Sequence, residues 1–526
     1  MQQAERLRFD VVILGGGVGG CAAAMAAARA GMKVVMTEET DWIGGQFTSQ
    51  AVPPDEHRWI EQFGCTRTYR QFRNSVRAYY RRHFPLTAEA RANERLNPGN
   101  GTVSRLCVDP RVALAVFHEM LAPYVHSGKV TILTEHQVVS AETEGDIVKS
   151  VTVRSTRTNE TKTLVAPYFL DATECGDLLP LAGVEYVTGA ESKAETGEPN
   201  ALDGPAEPDD IQSFTFCFAM DYVEGEDHTI PKPRDYEFWK TYRAPFMKDV
   251  MLSWATSNLS PFKSFSLFPT GDPGVFSLFE YRRIIDRKHF APGTFESDVT
   301  IVNWPQNDYW LGNIYDVSEE ERRTHLERAK QLSLSLLYWL QTEAPREDGG
   351  FGYPGLRLRK DVMGTEDGLA KYPYIRESRR IKAEFTVLEQ HISAVVRGDS
   401  GPEKFDDSVG IGCYRIDLHP TTGGREGFYT PSYPFQIPLG SLIPIRVTNV
   451  LPACKNIGVT HLTNGCFRLH PVEWNIGETV GLLAAYCLDK GLTPKQVRNK
   501  PEHLRDFQQL LVREGIELDW PVISPV

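Results

Sequence analysis

Residues 10–14, Asp10 and four apolar side chains, run straight into a stretch from Gly15 to Gly20 in which only Val18 is not glycine. Such a run, bounded by glycine, predicts a short, fully apolar strand. Residues 21–30 are rich in alanine and predict a helix, residues 31–33 turn the chain back, and a second apolar strand at 34–36 ends near Glu38. The pattern is a strand–helix–strand unit with G-x-G-x-x-G at Gly15, Gly17 and Gly20, and an acidic residue about 20 positions on.

Farther along, Asp109 caps a helix with Pro110 in its first turn, running to about Ser127. Strands follow at 130–133, around Val138, at the alternating 147–153, and at 165–170. Residues 191–235 hold many Glu, Asp, Pro and Gly and predict a long exposed loop, where the chain passes into a second domain. Residues 236–400 concentrate aromatic side chains, and Ser318 with Glu321 forms a capping box that opens a helix to about Glu343. Residues 303–308 are too polar for a core strand and are candidates for pocket lining. Residues 406–437 read as turns, 442–446 and 450–452 as strands, 472–488 as a helix, and the remainder as a helical tail. The domain pattern expected is therefore 1–200 and 406–490 for the nucleotide domain, 201–405 for a substrate domain, and 491–526 for the tail.

The glycines have distinct physical tasks. Gly15 permits the turn out of the strand, Gly17 lets a pyrophosphate approach the backbone, and Gly20 lets the helix lie close to the strands. The first N–H groups of the helix, unpaired within it, form an anion site together with the helix dipole. Glu38 suits both hydroxyls of an adenosine ribose and would repel a 2′-phosphate. The double glycine at Gly44 and Gly45 requires a close approach of the backbone to something else. Residues 350–355 also spell G-x-G-x-x-G, but no apolar strand precedes them and Pro354 falls where the helix would start. Residues 57–84 place arginines and aromatics at helical spacing, a pattern that suits a solvated basic face.

The 526 residues exceed a single core, and a net charge of −12 argues against a nucleic-acid or anionic-membrane surface. Nine scattered cysteines contain no C-x-x-C, which suits a reducing, cytoplasmic setting and gives no zinc, iron–sulfur or dithiol signature. No metal-ligand spacing is visible, so no metal is expected.

The glycine stretch with Glu38, residues 42–48, 171–177, 376–380 and 468–478 together resemble the FAD-dependent oxidoreductase family, within the glutathione-reductase-like flavoproteins. The resemblance implies an α/β fold: a Rossmann-type FAD-binding domain interleaved with a second, β-rich α+β substrate domain. It places the AMP half of FAD at Gly15, Gly17, Val18, Gly19, Gly20, Glu38 and Glu39. Gly44, Gly45, Gln46 and Thr48 would run beside the flavin. Asp171, Ala172 and Thr173 would close the return near the dinucleotide. A helix starting near Glu473, with Gly477 in it, would point its positive end at the flavin pyrimidine. Disulfide reductases carry paired cysteines after the double glycine; this chain reads Gln46-Phe47-Thr48-Ser49, which excludes that chemistry.

A hydride leaving for flavin N5 needs a base for the accompanying proton and a cation near any developing oxyanion. His461 or His470 is the candidate base, with Arg468 or Arg379 orienting the substrate. His57 could contact or tether FAD. The expected activity is a dehydrogenase or oxidase acting on a small polar or cyclic metabolite. A monooxygenase fed by external NAD(P)H, a non-redox lyase-type use of the scaffold, and a non-catalytic nucleotide-binding subunit are the alternatives. Homo-oligomerisation is left open.

Overall fold

The crevice that the glycine turn faces is created by the order of strands in one parallel sheet. The computed structural model describes residues 5–526. In it β1 (Val11–Leu14), α1 (Val18–Arg29) and β2 (Val34–Thr37) follow one another as the apolar pattern predicts. α2 (Pro110–His126), with Asp109 accepting from Arg111 N–H, leads into β3 (Val130–Leu133). β4 (Tyr168–Asp171) and β5 (Val450–Pro452) complete the sheet. Neighbours run parallel in the order β5-β4-β1-β2-β3. The order reverses between β1 and β4, and a doubly wound sheet opens its ligand crevice there, beyond the carboxyl ends of the strands. Those ends are Leu14-Gly15 and Asp171-Ala172.

The other side of α1 is covered by α3 (His470–Lys490), two residues longer at each end than the sequence pattern suggests. The two helices touch backbone to backbone: a Cβ on Gly477 would lie 2.0 Å from Gly19 O. Between β3 and β4 the chain makes an antiparallel meander of strands His136–Glu144, Ile147–Ser155 and Thr161–Val165, extended by Glu5–Arg8. The strand expected at 165–170 is thus two strands in different sheets. Pro167 has no N–H for a ladder, and the chain changes sheets there.

The second domain is built on an antiparallel sheet ordered Arg283–Ile285, Val299–Val302, Phe218–Tyr222, Leu356–Leu358, covered by the helix Glu319–Thr342. That helix opens on the expected capping box of Ser318 and Glu321. Side chains alternate across the sheet. Phe218, Met220 and Val302 join an aromatic core with Trp239, Trp304 and Tyr309, whereas Ala219, Val299 and Ile301 join the core of the nucleotide domain.

Three expectations differ from what is observed. Residues 442–446 form no strand: Leu439–Leu442 is a 3-10 turn, and Pro444 bridges only to Ala383. Residues 211–222, expected in an exposed loop, are largely buried. Helix Arg67–His83 does not present a solvated basic face throughout, since Arg73 and Arg77 are buried against Glu56 and Glu61 at 2.9 and 2.5 Å. The helical pattern shows the arginines but not the glutamates that the preceding loop folds onto them. Among the described residues, no helix is long and apolar enough to cross a membrane.

Candidate active site

A cleft of about 410 Å³ opens at the reversal point, lined among others by Gly15, Gly17, Glu38, Glu39, Gly45, Ala172, Thr173 and Arg379. Glu38 stands at the end of β2; its carboxylate accepts from Gly16 N–H at 3.0 Å and from the Thr40 N–H and hydroxyl, both at 2.9 Å. Burial raises its pKa to about 7. Asp171 ends β4 and organises the next turn, accepting from Thr173 N–H and Oγ1 and from Leu178 N–H. Burial raises it, too, to about 7.

The double glycine answers to the first glycine turn. Gly44 N–H donates to Gly16 O at 2.7 Å, and a Cβ on Gly45 would sit 2.8 Å from Gly17 Cα. Both residues adopt positive φ, 104° and 49°. No residue with a side chain fits that crossing.

Beside the crossing, a fully buried ammonium stands between two carboxylates. Lys455 Nζ pairs with Glu174, lies 3.8 Å from Glu473 Oε2 and donates to Cys454 Sγ at 3.2 Å. Burial opposes its charge, but Cys454, Glu174 and Glu473 hold its pKa well above the ordinary lysine value. Glu473 Oε1 in turn accepts from Gly19 N–H at 3.1 Å, so an acidic group already rests on the positive end of α1. Glu174, Cys454 and Glu473 bring candidate ligand atoms within 4.8 Å of one another, but the cation they surround is this lysine.

A second group of polar side chains lies where the two domains meet, past the start of α3. Arg468 donates to Tyr374 OH at 2.9 Å and to Asp417 O at 3.2 Å, while its own carbonyl accepts from Gln46 Nε2 at 3.1 Å. Arg282 Nη2 is 3.6 Å from Asp55 Oδ1. The Nε atoms of Arg282 and Arg468 are buried with no hydrogen-bond partner in the protein. Buried donors are rarely left so. The cluster adjoins a larger outer cleft of about 1070 Å³, which Tyr414 and Arg415 line together with parts of 56–62 and 93–105.

The sequence profile described as FAD dependent oxidoreductase matches residues 10–511. The chain belongs to this family. No curated protein matches it. Among solved structures, it is similar to OxyS anhydrotetracycline hydroxylase from Streptomyces rimosus at 12% identity and a TM-score of 0.35, over 97% of this chain and 68% of that one. It is also similar to the myxobacterial chondrochloren halogenase CndH (17% identity, TM-score 0.23, 43% and 45% covered). L-proline dehydrogenase from P. horikoshii gives 15% identity and a TM-score of 0.20, over 36% of this chain and a quarter (25%) of that one. These likenesses are too slight to carry a reaction or substrate across.

The residues of this oxidoreductase fit FAD. Gly17 and Gly45 leave the cleft wall free of side chains, and Gln46 Oε1, Glu174 Oε1 and the Gln50 amide are buried near it without partners. Gly15, Gly17, Glu38, Glu39, Gly45, Ala172 and Thr173 line the cleft directly. Val18, Gly19, Gly20, Gly44 and Thr48 shape its wall from behind; Thr48 Oγ1, for instance, donates to Ile43 O at 2.6 Å. Gln46 and Glu473 are joined at 2.5 Å behind the glycines, and Gly477 serves helix contact. Sequence reasoning missed Gln50, Glu174, Arg322 and Tyr372 in the lining and Lys455 beneath it.

The four candidates for chemistry are dispersed. His470 is neutral: Nδ1 accepts from Asp55 N–H at 3.3 Å, Nε2 lies 3.1 Å from Val52 O, and burial lowers its pKa to about 4. His461 Nδ1 faces Glu377 at 2.9 Å, and the ring borders a separate cavity of about 160 Å³. Burial lowers its pKa, but the Glu377 charge outweighs that and leaves it raised. Arg379 is held by Asp177 and Asp316 at the cleft edge, whereas Arg380 pairs with Glu377. Of the four, Arg468 alone belongs to the polar cluster. His57 is bound to Gly64 O at 3.0 Å and lowered to about 4 by burial.

Proposed function

We propose that this FAD-dependent oxidoreductase is a dehydrogenase or oxidase that removes a hydride from a small polar metabolite seated in the Arg282–Arg468–Asp417 cluster. The observation that supports it is a pair of unpartnered guanidinium Nε atoms, one on Arg468, whose carbonyl holds Gln46, and one on Arg282, beside Asp55. FAD, when bound, supplies the two-electron acceptor. Arg468 orients the substrate through Nε, with its other nitrogens already fixed by Tyr374 and Asp417. The N-terminal turn of α3 adds positive potential at its mouth. Asp55 and Asp417 balance the two arginines, so the site suits hydroxyl- or amino-bearing compounds better than apolar ones.

Anaerobic mixing of the FAD-loaded protein with a panel of secondary alcohols, 2-hydroxy acids, amines and amino acids tests the reading. At least one member is expected to bleach the flavin band, and NADPH alone is not. Arg468→Met should lower kcat/KM for that compound by about 10–100-fold, the worth of a hydrogen bond to a charged group. Rapid bleaching by NADPH without substrate would instead establish the monooxygenase. Conversion of a panel compound with the flavin still oxidised would establish the lyase.

A further inference from the structure

We propose that His419 takes up the proton that the substrate's hydroxyl or amino group loses, with Asp308 as its positioning residue. This rests on the reading of the polar cluster as the substrate site. His419 Nδ1 is 2.7 Å from Asp308 Oδ2, and its Nε2 is turned toward Asp417 Oδ2 at 3.8 Å. Asp417 Oδ2 in turn lies 3.7 Å from Arg468 Nη2, so the ring stands on the cluster through this carboxylate. Asp308 is buried; its Oδ1 accepts from Arg376 Nη2 at 2.9 Å and Thr215 Oγ1 at 2.6 Å. Burial alone would raise the Asp308 carboxyl, but Arg376 and His419 hold it down to about 2.

An ionised carboxylate has no hydrogen to give. Nδ1 therefore carries a hydrogen toward Asp308, and in the ring's neutral form the lone pair is on Nε2, toward the cluster. A second contact fixes the backbone, where His419 N–H donates to Gln212 Oε1 at 3.3 Å. The side chain keeps 27% of its surface accessible, unlike His470, whose two nitrogens are both taken by backbone. A carboxylate behind one nitrogen and a free lone pair on the other is the arrangement that general bases use.

The step balances as follows. FAD, when bound, would supply the two-electron acceptor for the pair of the substrate's C–H bond. The O–H or N–H bond breaks, its pair becomes the second bond of a C=O or C=N group, and the proton goes to Nε2. The resulting imidazolium lies between Asp308 and Asp417, which offset its charge, and it returns the proton to water after product leaves.

Two measurements on the FAD-loaded protein test this. Diethyl pyrocarbonate acylates neutral, accessible imidazoles; peptide mapping should find His419 modified on Nε2, as exposed His126 is, and modified more slowly in Asp308→Asn. A His419 that stays unmodified, or reacts on Nδ1, overturns the proposal. In stopped flow with the reductant found by the panel, His419→Gln should slow flavin reduction by about 10²–10⁴-fold with FAD content unchanged. It should also abolish the fall in rate toward low pH. The charged groups that face the ring are Asp308 and Asp417, with Arg376 behind the first and Arg468 behind the second. A wild-type rate, or a slow rate with an unaltered pH profile, overturns the assignment. A panel in which nothing reduces the flavin counts against the hydride reading, and the acylation result then decides His419 separately.

Discussion

Gly17→Val is expected to yield a folded, colourless protein. The substitution places a branched side chain at a point where the cleft wall is bare backbone, and its Cβ would already be 2.9 Å from Glu174 Oε1. Gly17 has φ −66°, outside the left-handed region, so the substitution adds no positive-φ strain, and any loss in melting temperature reports the shift that Glu174 makes to admit the side chain. What is lost is the approach of a diphosphate to the N–H groups that open α1. Two charge-assisted hydrogen bonds at about 1.5–3 kcal/mol each correspond to about 10²–10⁴-fold in Kd. Quenching of FAD fluorescence on titration measures it. A yellow Gly17→Val protein with stoichiometric FAD would remove the glycine turn from cofactor binding.

Lys455→Met should cost about 3–5 kcal/mol of stability at neutral pH, the penalty for breaking a buried ion pair on one side only. Methionine keeps the length of the side chain and leaves Glu174 and Glu473 facing each other without a cation. Burial already raises the Glu174 carboxyl, and Lys455 is the largest influence opposing that rise. Without the lysine the folded-state value climbs further above that of the unfolded chain. The folded protein then holds a proton that the unfolded one releases, and stability must fall as pH rises. Urea unfolding at pH 5.5 and pH 8.5 should therefore show the larger deficit at the higher pH, and Glu174→Gln in the Lys455→Met background should recover part of it. Equal deficits at both pH values would mean that the lysine is held by packing alone.

These two residues mark what a sequence discloses and what it withholds. Gly17 is legible because everything that explains it is local: an apolar run, a glycine turn, a helix and Glu38 within one short unit. Glycine has few reasons to recur at that spacing. Lys455 gives no such sign. It sits three residues after β5, among small and polar neighbours, and its partners Glu174 and Glu473 come from other parts of the chain. The same holds for His419, whose partner Asp308 is 111 residues away. Residues 303–308 do announce themselves as unlike a core strand, through their polar side chains and Pro305, although Trp304 in the same stretch is ordinary core. His470 was legible as a residue beside the flavin helix, but its idle role depends on Val52 and Asp55, which only the folded chain brings to it. The glycine pair at 44–45 reads as a close approach to a ligand, and Gly45 does line the cleft; its crossing with Gly17 is a contact between two loops that no periodicity encodes.

The antiparallel sheet of the second domain has one further consequence. Because Phe218 and Met220 face one core while Ala219, Val299 and Ile301 face the other, the sheet is a shared wall. Swinging the two halves apart would strip apolar surface from both cores at once, so this architecture has no hinge. On the proposed reading, small molecules would reach the arginines by way of the outer cleft between 93–105 and 413–415, whose width is set by loop side chains.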